Sequence, residues 1–243
     1  MSPTPPAAAP TLPRGARRFI LATIALAGVA AAAALAAPAA DAGDLAAFLA
    51  LGAGAAIAQL WIIEVRANHG FPTSIALLVA GALLLPPELV ALLALAQYLP
   101  ELLMRRAPLP IQAFNIANGT LNVLAAWLAA HAVTGGLGDD GAGLATAGLV
   151  AAVVFVALNH LLLAGVLKLA RGHTLRASGL FSAESLSIDL AIALAGVATA
   201  ALTDVNLALV PAALASLFLA HRFLGLLAVA HAHAPKPQSQ PAA

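Results

Sequence analysis

The chain has 243 residues, of which 62% are hydrophobic and 9% charged, with a formal net charge of +1 and a mean hydropathy of +0.98. A length that would suit one or two soluble domains is overruled by that composition, which calls for a bilayer as solvent. The absence of cysteine excludes disulfides, thiolate catalysis and cysteine-ligated zinc or iron–sulfur centres.

Residues 1–18 read as a disordered leader, rich in Pro and Ala and ending in the basic cluster Arg14, Arg17 and Arg18. A first apolar segment follows at 19–37. Its arginine-rich start and its small-residue ending at Ala37-Pro38-Ala39-Ala40-Asp41-Ala42 imitate a cleavable signal peptide. The apolar run is longer than the ~7–15 residues of a signal core, so a retained span is expected. Further apolar segments fall at 44–63, 73–85, 88–104, 111–133, 146–168, 185–203 and 207–229, and residues 231–243 form a second disordered tail. A span needs roughly 20 apolar residues. The pattern therefore predicts an all-α, polytopic transmembrane helix bundle of six to eight helices over 19–230, with no soluble domain.

The third and fourth segments are short and are separated by Pro86-Pro87, where the chain must break because proline lacks the amide donor and disfavours helix in its predecessor. They form either two short spans or a re-entrant hairpin, and both return the chain to the side it left. Within the second segment, Gly52-Ala53-Gly54-Ala55-Ala56 predicts close helix packing, since small residues let backbones approach where lipid supplies no hydrophobic drive.

Threaded with the N-terminus inside, the chain brings Arg66, Arg105, Arg106, Lys168, Arg171, Arg176 and Lys236 to the side of the N-terminal arginines, and Arg222 snorkels there. The opposite side receives Asp41, Asp44, Glu88, Asp139, Asp140 and Asp204. The positive-inside rule then predicts a multi-pass protein of the inner (plasma) membrane with both termini cytoplasmic.

Candidate chemistry concentrates in the inner half. On the fifth segment Gln112, Asn115, Asn118 and Asn122 lie within an arc of about 120° on one helical face. Facing lipid, their donors and acceptors would go unpaired, so the stripe should face the bundle interior, as interhelical glue or as a ligand pocket. On the fourth segment Gln97, Glu101 and Arg105 follow at i, i+4 and i+8, a spacing that pairs the carboxylate with the guanidinium. Asn159 and His160 lie on the sixth segment, Asp189 on the seventh, and Gln59 and Glu64 near the inner end of the second. Ionisable groups at such depth point to function, though Asp189 also suits an N-terminal turn and a lone His160 suits packing. The candidate ligand-binding set is thus Gln97, Glu101, Gln112, Asn115, Asn118, Asn122, Asn159, His160 and Asp189, and the outer half is expected to be almost purely apolar. The run from Gly135 to Gly141 is an external loop rather than a phosphate cradle, because no strand precedes it. His231 and His233 belong to the tail, so no metal site is expected. No Walker loop, HExxH, GxSxG elbow or nucleophile–base pair is present, which argues against an enzyme and against a cofactor.

The run from Gly70-Phe71-Pro72-Thr73-Ser74 through the Pro-Pro break to Leu102-Leu103-Met104-Arg105-Arg106 and Phe114-Asn115-Ile116-Ala117-Asn118 resembles the bacterial multi-helix membrane sensor module found before GGDEF cyclase or HD-type phosphohydrolase domains. Asn159-His160 followed by a basic loop occupies a comparable place. The resemblance spans residues 44–225, and it implies a sensing or anchoring unit whose partners are the lipid bilayer, a cytoplasmic output protein or partner helices, and a small-molecule ligand, with no nucleic acid. This chain departs from that pattern after Arg222, where no output domain follows. Such modules also resemble in fold the substrate-binding subunits of energy-coupling-factor transporters, which implies small-molecule transport as the alternative. No repeat relates residues 19–104 to 111–229, which weighs against a two-fold secondary transporter.

Overall fold

A computed structural model of the chain describes residues 12–37, 40–60, 63–66, 69–104, 108–138, 141–172, 174 and 178–206, with isolated positions 209, 212, 215, 216 and 219; over 63–66 and 69–71 it describes the backbone alone. These residues form α1 (Arg14–Leu35), α2 (Ala42–Leu60), β1 (Ile63–Arg66), β2 (His69–Phe71), α3 (Ser74–Leu84), α4 (Pro87–Met104), α5 (Leu109–Leu137), α6 (Gly141–Arg171) and α7 (Ala183–Val205). The protein is an all-α bundle, and six of its helices, α1, α2, α4, α5, α6 and α7, are long and apolar enough to cross a membrane. Apart from the isolated positions, the eighth apolar segment, 207–229, lies outside the described residues, as do Arg105, Arg106, Asp139, Asp140, Arg176, Arg222, Lys236 and both tail histidines.

The helix ends follow local chemistry. Asp41 and Asp44 cap α2 reciprocally, each carboxylate accepting from the other's backbone amide at 2.9 and 3.1 Å. The Ser182 hydroxyl accepts from the amide of Ser185 at 3.1 Å and opens α7. Pro110 sits in the first turn of α5, where its missing donor costs nothing. Lys168 and Arg171 occupy the last turn of α6, complementing its dipole. Two boundaries differ from the apolar pattern. Helix α1 begins at Arg14, inside the stretch read as leader, and carries the three arginines on its first turns. Helix α2 stops at Leu60, and Ile63 and Glu64 instead belong to a short antiparallel hairpin pairing Ile63 with Phe71 and Glu64 with Gly70. β-Branched Ile63 and Val65 suit a strand better than a helix end.

Helix α3 resolves the question posed by Pro86-Pro87. Its 11 residues rise only about 16 Å, half of a ~30 Å hydrocarbon core, so α3 is too short to span, whereas α4, at 18 residues, is long and apolar enough to do so. Ser74 at the start of α3 and Gln97 and Glu101 late in α4 meet at Gln59, so the pair turns back to the end it left. The pair is a half-length helix followed by a full one. Every residue of α3 from Ser74 to Ala82 is buried, because α7, α2, α5, α4 and α6 all pack around it. Small residues make that possible. A Cβ at Gly196 of α7 would run into the backbone carbonyl of Ala76, one at Gly81 into Leu93, and one at Gly148 into Val197.

The first helix is integral to the bundle. Phe19 lies against Phe114 with ring centroids 6.4 Å apart, and it fills the space beside Gly165. These contacts bring the start of α1, the start of α5 and the end of α6 to one end of the bundle. There stand Arg14, Arg17, Arg18, Lys168 and Arg171, which are all the lysines and arginines with described side chains, together with Glu101 and Glu184. Asp41, Asp44 and Asp204 stand at the opposite end, which carries no described lysine or arginine.

Candidate functional site

The carboxamide stripe of α5 meets two different neighbours. Because it is about 120° wide, its two edges face different helices. Gln112, at one edge, donates through Nε2 to the backbone carbonyl of Glu101 on α4 at 3.1 Å. Asn118, at the other edge, and Asn122 donate to Asn159 Oδ1 on α6 at 2.7 and 3.2 Å. Asn115, midway between them, stays half-buried and joins neither group.

On the α4 side the centre is Gln59 of α2, 5% exposed. Its Oε1 accepts from Ser74 Oγ at 2.9 Å and from Gln97 Nε2 at 2.8 Å, and its Nε2 donates to Glu101 Oε1 at 3.0 Å. One side chain thus ties α2, α3 and α4 together, and Gln112 adds α5. Arg105, the expected partner of Glu101, lies outside the described residues; Glu101 accepts a hydrogen bond from Gln59. The α3 N-terminus begins inside this group, which supplies the fully buried Ser74 with a partner. The network is nearly closed, with Gln97 Oε1 as its buried atom lacking a partner.

On the α6 side the balance is different. Asn118 and Asn122 spend donors on a single oxygen, and Asn118 Oδ1 and Asn122 Oδ1 are buried without a partner among the described residues. Turning all three amides by 180° would exchange two orphaned acceptors for two orphaned donors, so the cluster cannot satisfy itself either way. The next residue of α6, His160, is 1% exposed and faces α7. Its Nδ1 lies 2.8 Å from the Val156 carbonyl, which can only accept, so Nδ1 carries a proton. Its Nε2 lies 3.3 Å from Asp189 Oδ2, and the Phe181 ring covers the imidazole at 5.9 Å. With Nδ1 already protonated, the Nε2–Oδ2 contact is favourable only when it holds a further proton, on the ring or on the carboxyl. The other oxygen, Asp189 Oδ1, is buried and has no hydrogen-bond partner among the described residues. Asp189 is therefore paired across helices, and its location one turn into α7 does not make it a simple end-of-helix residue.

The acidic end is less uniformly apolar than the sequence suggests. Glu88, expected in an external connection, is buried at 8% exposure in the first turn of α4, and neither of its oxygens has a partner among the described residues. A cavity of about 930 Å³ lies between α3, α5, α6 and α7, with Leu83, Leu84 and Leu144 on its apolar walls and His131, Thr134 and Asp204 as its polar members. Sequence reasoning missed Ser74 as a partner, the central role of Gln59 and the His160–Asp189 pair. The first was hidden because a serine near an apolar segment carries no periodic signal, and the others because pairing across helices separated by tens of residues leaves no local pattern.

Comparison with protein-family models, with curated proteins and with solved structures finds no match. The chemistry of the site itself therefore carries the functional reading.

Proposed function

We propose that this integral membrane protein is a non-enzymatic sensor or anchoring module, in which the buried polar side chains of α5, α6 and α7 bind a small ligand and the bundle engages a cytoplasmic output protein or partner helices. The observation that supports this reading is the set of buried oxygens without partners, Asn118 Oδ1, Asn122 Oδ1 and Asp189 Oδ1, in the basic half of the bundle. Interhelical glue satisfies its own groups, as the Gln59 network nearly does. Each unsatisfied buried acceptor costs about 1–3 kcal/mol, so a set of them is maintained more readily where something else completes it. The segregation of arginines and lysines to one end supports cytoplasmic termini and a plasma-membrane location.

The test is native mass spectrometry of the gently solubilised protein. A discrete retained compound that disappears in Asn118→Ala and Asn122→Ala, while the variants keep their helical content, is the expected result. A compound-free protein, or one whose compound is indifferent to these variants, would sink the reading. A transport role is the alternative, favoured by one feature: α3 is a half-length helix that starts at a buried polar group, an arrangement that substrate sites of transporters use. Uptake of the retained compound by proteoliposomes, above empty vesicles, would decide for transport.

A further inference from the structure

We infer that the cavity between α3, α5, α6 and α7, at the end of the bundle that carries Asp204, binds a small amphiphile with an apolar body and a primary ammonium head. This is a site beyond the one proposed above: His131 in its lining lies about 13 Å along α5 from Asn122.

The cavity has the size and the walls of a ligand site. Its volume, about 930 Å³, falls within the roughly 300–1,000 Å³ usual for small-molecule pockets. Leu84 of α3, Leu144 of α6 and Leu194 and Val197 of α7 give it apolar walls, and alanines of α5, α6 and α7 leave the space between them open. An apolar body of matching size gains by leaving water for these walls. The three polar side chains of the lining, His131, Thr134 and Asp204, all offer acceptors. His131 Nδ1 lies 2.9 Å from the Trp127 carbonyl, which only accepts, and the ring stacks on the Trp127 indole at 4.2 Å. Nδ1 therefore carries the proton, and Nε2 of the neutral ring keeps its lone pair. Thr134 Oγ1 turns its hydrogen to the carbonyls of Ala130 and His131, at 3.4 and 3.3 Å, and keeps its own lone pairs. Asp204 stands exposed in the last turn of α7 with no hydrogen-bond or ion-pair partner among the described residues. No described lysine or arginine shares this end, so the carboxylate has no cation beside it. A head group that fits must bring donors and positive charge. A primary ammonium brings three N–H donors and one charge; a hydroxyl brings a single donor and no charge, and a carboxylate meets only acceptors and the like charge of Asp204.

The experiment titrates n-hexylammonium, n-hexanol and hexanoate, which share one body and differ in the head, into the full chain in phosphatidylcholine nanodiscs, with empty nanodiscs as the blank. Saturable binding of hexylammonium is expected, with hexanol at least tenfold weaker and hexanoate weaker still. Ala198→Trp fills the cavity from its α7 wall and should weaken hexylammonium at least tenfold. If that variant does not fold, Ala198→Cys takes its place: the chain has no native cysteine, and hexylammonium should slow maleimide labelling there at least threefold. Asp204→Asn should weaken hexylammonium at least threefold and leave hexanol unchanged, a split that a loss of structure would not produce. Hexanol or hexanoate binding as tightly as hexylammonium, or an Asp204→Asn protein that binds hexylammonium as wild type does, would overturn the ammonium head. Hexylammonium affinity indifferent to Ala198→Trp, or labelling of Ala198→Cys indifferent to hexylammonium, would overturn the location. No saturable binding of hexylammonium, the result if a lipid acyl chain or the chain's own apolar segment 207–229 takes the space, would overturn the site.

Discussion

The two polar groups fed by the same face of α5 are built from the same chemistry and end in different states. Around Gln59, four helices contribute a glutamine, a serine, a second glutamine, a carboxylate and a third glutamine, and nearly every donor finds an acceptor. Around Asn159, two asparagines compete for one oxygen, and the neighbouring His160–Asp189 contact uses one carboxylate oxygen of two. A completed network in low dielectric fixes the relative positions of its helices, and an incomplete one is a place where a ligand has something to gain. Residue type alone does not separate the two groups; the count of unmatched lone pairs does.

The largest effect that bears on this contrast belongs to the frame holding both groups in register. Gly196→Leu should destabilise the bundle by about 3 kcal/mol or prevent folding, since its side chain meets the backbone of Ala76 and no flexible neighbour can yield; unfolding by steric trapping reads it. Gln59→Leu comes next. Removing three hydrogen bonds at roughly 0.6 kcal/mol each, and leaving Ser74, Gln97 and Glu101 without this partner, should cost about 2 kcal/mol in the same assay. A Gln59→Leu protein as stable as wild type would break the comparison, because the closed network would then be idle.

The double variant Asn118→Leu/Asn122→Leu sharpens it from the other side. It loses two bonds to Asn159 but also removes two orphaned acceptors, so stability should stay within about 1 kcal/mol of wild type while the retained compound is lost. A loss equal to that of Gln59→Leu, with the compound unchanged, would make both groups architectural. The smallest structural effect is expected from labelling. The chain has no native cysteine, so single cysteines at Arg171 and Asp204 report orientation cleanly. With unaltered stability, an impermeant maleimide applied to the outside of intact cells should modify Asp204→Cys and spare Arg171→Cys; the reverse pattern would invert the topology and put both polar groups in the outer half.

The hydrophobic spans, the basic and acidic ends, the break at Pro86-Pro87 and the carboxamide stripe were all legible in the sequence, because each is set by local periodicity or by the cost of placing charge in hydrocarbon. Gln112, Asn118 and Asn122 were correctly assigned to the interior for that reason. Tertiary structure alone decided that α3 is half-length and buried from Ser74 to Ala82, that Gln59 bonds Glu101, that His160 faces Asp189, and that Glu88 is withdrawn from the surface. These outcomes depend on the rotation and depth of each helix relative to its neighbours. Those are fixed by close approaches such as Gly196 on Ala76 and Phe19 over Gly165, contacts between residues far apart in the chain that no local pattern records.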